Sequence, residues 1–180
     1  LTAVKGLVRS GEIGDVLELR ARGKEDARGG GEDLWVLGTH LMDLMRFFAG
    51  DAQSCFARVT VDGRPVTRRD VYEGNEGIGP LAGDRVDAMY TLPKGIVGYF
   101  SSQRSKAGNP SRFGLRIIGS RGVIEVLTGY LNPAYILKDP SWSPKRSGAQ
   151  WQTITSAGID RPEPLRGEGL HGGNVAAVKD

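Results

Sequence analysis

Residues 29–48 constrain this chain most: Gly29, Gly30 and Gly31 open into Glu32, Asp33, Leu34, Trp35, Val36, Leu37, Gly38, Thr39, His40, Leu41, Met42, Asp43, Leu44, Met45, Arg46, Phe47 and Phe48. Stepping about 100° per residue from Leu34 gathers Leu37, Leu41, Leu44, Met45 and Phe48 into one apolar stripe of about 100°. The pattern predicts one amphipathic helix over 33–48, with Glu32 and Asp33 at its positive end and Gly50 closing it. His40 falls just off the stripe, and Asp33, Val36, Asp43 and Phe47 share its flank. A histidine at the border of a buried stripe, with carboxylates nearby, is placed to meet a pocket and to have its basicity tuned. The same position also suits a histidine satisfied structurally, and the residues alone leave both readings open. The three glycines lack the lysine of a phosphate-binding P-loop and the G-x-G-x-x-G spacing of a dinucleotide site, so they read as a tight turn into the helix.

Composition narrows the classes. Of 180 residues, 39% are hydrophobic and 25% charged, as in an ordinary globular protein with a sizeable core. Glycine supplies 27 residues, about twice its usual share, which implies the many turns of an antiparallel sheet. The net charge of +3 is spread without aromatic interleaving, which argues against a nucleic-acid partner. Cys55 is the single cysteine, so neither an internal disulfide nor a thiolate cluster is available. Its alternation with Ala57, Val59 and Val61 predicts a buried strand position. No apolar run reaches the ~18 residues of a membrane span, which fits a cytoplasmic location.

Along the chain we expect a helix over 1–9 and strands over 16–22 and 54–62. Residues 64–83 read as an irregular connection. A hairpin turns at Pro93-Lys94-Gly95 between 86–92 and 96–104, and a second turns at 119–122 between 115–118 and 123–127. Weaker strands fall at 134–138 and 150–155. Residues 156–173 form a loop carrying His171, and Asn174 begins a helix. The order predicts an α+β fold: a mostly antiparallel, open-faced β-sheet with helices packed on one face. Strands apolar on both sides, notably at 96–100, predict a homo-oligomer formed through the open face.

In this order and spacing the chain resembles the C-terminal domain of the Gfo/Idh/MocA oxidoreductases. The resemblance rests on the helix leading into Ser10-Gly11-Glu12-Ile13-Gly14-Asp15-Val16, on the glycine stretch with Gly38-x-His40-x-x-Asp43, on Leu44 to Gly50, on the two hairpins and on Asn174 onward. It implies residues 1–180 as one substrate and oligomerisation domain. A separate N-terminal Rossmann domain, outside this chain, would bind NAD or NADP and supply a catalytic lysine, so this fragment itself is expected to hold no cofactor. It implies a sugar, cyclitol or related polyol as substrate. It makes His40 the candidate acid/base, with Asp33 or Asp43 assisting, and Trp35, Val36, Arg104 and His171 candidates for the substrate wall. The family's aspartate one turn before the histidine is here Val36, which cannot ionise. A non-catalytic sheet-based binding module is the alternative, and a metal site on His40, Asp43 and His171 a third possibility.

Overall fold

The computed structural model describes residues 1–105, 113–128, 134–141 and 147–165. Backbone contacts divide the chain into two units, one of Val16–Ile118 and one of Leu1–Asp15 with Gly119–Asp180. His171, the loop segment 106–112 and the helix expected from Asn174 lie outside the described residues.

The unit Val16–Ile118 holds the sequence features of interest. Its elements are β1 (Val16–Arg22), α2 (Gly31–Val36), α3 (Gly38–Ala49), β2 (Ser54–Val61), β3 (Arg64–Pro65), β4 (Tyr72–Glu73), β5 (Pro80–Leu81), β6 (Arg85–Thr91), β7 (Val97–Gln103) and β8 (Gly114–Gly119), which ends at the boundary; α1 (Thr2–Arg9) precedes them in the other unit. The strands order as β8-β1-β7-β6-β2-β3. β6 pairs with β7 and with β2 antiparallel, while β1 runs parallel to β7. The hairpin between β6 and β7 turns where expected. Lys94 and Gly95 both take positive φ (62° and 76°), and the Leu92 amide donates to the Ile96 carbonyl at 2.9 Å.

Two-residue alternation sorts the strands onto two faces. Leu19, Ala21, Val86, Ala88 and Phe100 are buried, and they face α2 and α3, which lie against β6 and β7 and against β1. Leu41, Leu44 and Met45 of α3 complete this core. Burial of a leucine or methionine side chain contributes roughly 1.5–3 kcal/mol, so this stripe holds α3 down. On the opposite face the register places Phe56, Met89, Tyr99 and Arg20 in one row across four strands. Phe56 is 72% exposed, Met89 43% and Tyr99 38%, and the Arg20 guanidinium lies 5.9 Å from the Tyr99 ring centre. Among the described residues of this unit, helices cover one face of the sheet, as expected.

Three expectations change. The helix over 33–48 is two helices, broken at Leu37 (φ −115°, ψ −29°). Gly38, which starts the second helix, is closely packed: a Cβ there would stand 3.0 Å from both the Phe100 ring and the Asp33 carbonyl. Cys55 is exposed, not buried. The alternation was real, but residues 54–58 of β2 are exposed on both sides. Residues 64–83 are not simply irregular. Thr67 and Asp70 form a capping box, Asp70 takes both terminal nitrogens of Arg64 at 2.6 and 2.8 Å, and β4 pairs with β5. Arg64 holds the Asp70 carboxyl far below the usual carboxylate range.

In the other unit, β9 (Val123–Leu127), β10 (Ala134–Leu137), β11 (Gln152–Thr155) and β12 (Gly158–Ile159) form an antiparallel run in the order β12-β11-β10-β9. Val4 of α1, with Ile13, Ile124, Ile136, Leu137 and Ile154, forms its core. The turn ahead of β9 closes with the Gly119 amide donating to the Gly122 carbonyl at 2.8 Å.

Candidate functional site

The glycine run is wedged between two backbones. A Cβ on Gly29 would stand 2.4 Å from the Gln103 carbonyl oxygen, one on Gly30 2.5 Å from the Asp84 carbonyl carbon, and one on Gly31 2.2 Å from the Ala82 carbonyl oxygen. Gly30 also sits at φ 82°, ψ −133°, a conformation that residues with a Cβ rarely adopt. The turn predicted from sequence is thus a point of close packing. Residues 82–84 and 103–104 occupy the places where side chains on these glycines would stand.

Three carboxyl groups are buried around this turn, and each fastens a different segment. Glu25 takes Arg22 at 2.8 Å and the Gln103 amide at 3.1 Å. Glu32 accepts from the Asn75 side-chain amide at 2.7 Å and from the Asn75 backbone amide at 3.3 Å, which ties the 64–83 connection to α2. Asp33, 1% exposed, accepts from the Ser102 hydroxyl at 2.5 Å, and Ser102 accepts from the Gly30 amide at 3.0 Å. Burial pushes the Asp33 carboxyl up from its ordinary value, and the nearby Asp26 charge adds to the rise; Ser102 and the amides of Glu25 and Lys24 pull it partly back.

The candidates from sequence divide accordingly. Asp33 was placed on the His40 flank by carrying one helical phase through Leu37. The break cancels that phase, and Asp33 turns inward to Ser102. His40, Asp43 and Trp35 are exposed, Trp35 to 65%, and Val36 is half-buried. Trp35 and Val36 end α2, and His40 lies in the first turn of α3, so these three meet at the helix junction. His40 and Asp43 make no side-chain hydrogen bond or ion pair among the described residues. Arg46, one of the partners considered for Asp43, pairs instead with Asp51 at 2.5 Å. Arg104 lies over the Tyr72 ring at 4.8 Å and donates to the Tyr72 hydroxyl, while its Nε is buried without a partner among the described residues. Among the described residues no three His, Cys, Asp or Glu side chains group as metal ligands.

Ser102 and Glu25 escaped the sequence reading, and Glu32 was read there only as a charge at the helix start. Ser102 left a trace: it occupies an inward position in the alternation of β7, where a polar side chain needs a partner.

The fold has many relatives among solved structures. Levoglucosan dehydrogenase in complex with NADH and levoglucosan is 19% identical, with a TM-score of 0.63 over 98% of this chain and 50% of that one. An oxidoreductase domain protein from Kribbella flavida is 21% identical, with a TM-score of 0.57 over 85% and 44%. UDP-N-acetylglucosamine 3-dehydrogenase GnnA from Acidithiobacillus ferrooxidans is 19% identical, with a TM-score of 0.52 over 99% and 50%. The chain spans about half the length of these proteins. No curated protein matches it in sequence. The family model for the GFO/IDH/MocA C-terminal domain matches residues 1–125, and the chain belongs to that family.

Proposed function

We propose that this chain is the substrate-binding and oligomerisation part of an NAD(P)-dependent oxidoreductase acting on a sugar, cyclitol or related polyol. Family membership over residues 1–125, together with an exposed, uncommitted His40 at the α2–α3 junction, carries this reading. The dehydrogenases that share the fold were solved with NADH and levoglucosan or are described as acting on a nucleotide sugar, which supports a carbohydrate substrate. The close packing at the glycine run suits a structural turn, and on the family resemblance the dinucleotide is assigned to a separate N-terminal domain. NAD(P), when bound, supplies the hydride acceptor.

His40 does the proton work. Withdrawal of hydride from a secondary alcohol leaves a protonated carbonyl unless a base takes the hydroxyl proton, and a neutral imidazole is suited to that at neutral pH. Trp35 offers an exposed ring on which the apolar face of a sugar can lie, and Val36 makes the adjacent wall apolar where the family carries a carboxylate. Arg104 and His171 remain proposed contributors to the substrate wall. The row of Phe56, Met89 and Tyr99 is the proposed interface between copies, because an uncovered apolar sheet face is stabilised by association.

The test uses the protein with its dinucleotide-binding domain, assayed with NAD and NADP against sugars and polyols, levoglucosan included. His40→Ala is expected to lower kcat by roughly 10²–10⁴-fold, the usual worth of a positioned acid or base, and to leave Tm unchanged. Near-normal kcat with a large fall in Tm would overturn the assignment.

A further inference from the structure

Asp33 has no role in the scheme above, yet it is among the most deeply buried side chains of the molecule. Gly23 makes room for it: a Cβ there would stand 2.0 Å from Asp33 Oδ2 and 2.7 Å from the Ser102 side chain. Oδ2 takes the Ser102 hydroxyl, while Oδ1 is buried and makes no hydrogen bond of normal geometry among the described residues, although the Glu25 and Lys24 amides ease the cost of charge on this carboxyl. Ser102 has one proton to donate, to Asp33, and its lone pair receives the Gly30 amide, so the three groups form a directed chain ending on the residue that enters α2.

The charges around this chain offer no compensation. On the 23–30 loop, Lys24 and Arg28 are paired with Asp26, and Glu25 is paired with Arg22. On α2, the adjacent Glu32 is taken by Asn75. From β7, Ser102 is the contact, and the Arg104 guanidinium beyond it is engaged with Tyr72. Asp84, whose backbone packs on Gly30, directs its carboxylate to the Asp62 amide. No cation is paired with Asp33 among the described residues. Ionisation strengthens the Ser102 bond and is favoured by the Glu25 and Lys24 amides, but the cost of burying a charge that no cation meets is the larger effect.

We propose that Asp33 is a positioning residue whose buried carboxyl, through Ser102, pins the Gly30 amide and the start of α2, and that ionisation, by placing a charge there that no cation meets, favours opening of this segment to water. The proposal stands independently of the role of His40. Its sign follows from the burial that raises the Asp33 carboxyl. The folded chain holds this proton more tightly than the unfolded one. The stabilisation is therefore complete below the ordinary aspartate value and is lost as pH rises through the folded-state value. Helix α2, with Trp35 at its end, would then be held less firmly on the alkaline side.

Asp33→Asn preserves an acceptor for Ser102 and cannot ionise. Between pH 4 and 8, the Tm of Asp33→Asn relative to the unmodified protein is expected to rise with pH. Amide exchange at Gly30, corrected for intrinsic rates, is expected to lose protection with rising pH across that range in the unmodified protein, and to lose none in Asp33→Asn. Asp33→Ala, which leaves the Ser102 hydroxyl without its acceptor, is expected to lose Gly30 protection at every pH. If Asp33→Ala does not fold, the Asn variant and a carboxyl ¹³C titration decide. An Asp33 carboxyl titrating at the ordinary value, or a Tm difference independent of pH, would overturn the proposal.

Discussion

Helices α2 and α3 follow one another in the chain and are held by different physics. α3 is amphipathic: Leu41, Leu44 and Met45 face the sheet, and His40, Asp43 and Arg46 face water. α2, only six residues long, buries its polar start, with Glu32 and Asp33 inside and Trp35 outside. A helix that short is not stable by propensity. It persists because buried carboxyl groups fasten it to Asn75 and Ser102 and because the glycine turn packs between two backbones. Where polar groups are buried with partners, position is set sharply. Where they are exposed, they are free for chemistry. The sheet repeats the contrast, with a helix-covered face of apolar side chains and an uncovered face crossed by Phe56, Met89 and Tyr99.

The contrast can be broken at its strongest point first. Gly30→Ala places a methyl group against the Asp84 carbonyl in a conformation suited to glycine. It is expected to destabilise the protein by more than about 3 kcal/mol in denaturant unfolding, well beyond a surface substitution. A loss under about 1 kcal/mol would mean that the turn is not the anchor of α2. Next, Phe56→Glu puts a charge into the centre of the open-face row. Light scattering is expected to show the oligomer shifting to monomer, and a protein that is monomeric before the change would remove the interface. The smallest effect is expected at Asp43→Asn. Asp43 is exposed, three residues from His40 on the same helix, where such pairs are worth about 0.2–0.5 kcal/mol. Tm should hold, and kcat should change by about twofold or less, the rate equivalent of that energy. A larger fall in kcat would make Asp43 the partner that orients His40.

Much of the fold was legible because local pattern and burial agree. Alternation placed β1, β6 and β7 within a residue or two, and the Pro93-Lys94-Gly95 turn was read from its residues. The stripe of Leu41, Leu44 and Met45 was legible for the same reason. Three readings failed where the tertiary setting decides. The helix breaks at Leu37, beside a Gly38 that packs against the Phe100 ring 62 positions away, and no helical wheel contains that contact. Cys55 alternates like a core residue, but its strand is exposed on both sides. Asp33 followed the His40 flank only while one helix was assumed.

The sequence by itself determined the class of fold, the family to which the chain belongs, the amphipathic face of α3 and the position of His40 at its edge, since all of these are written in periodicity, turn residues and motif order. Only the tertiary structure decided what the acidic residues beside the glycine run do. Glu32 and Asp33 read from sequence as charges at a helix start, and with Glu25 they become buried anchors because Gln103, Asn75 and Ser102 arrive from 43 to 78 residues away to satisfy them. A hydrogen-bond partner so remote leaves no local signal. Its effect appears when the chain has closed around a polar group that water can no longer reach.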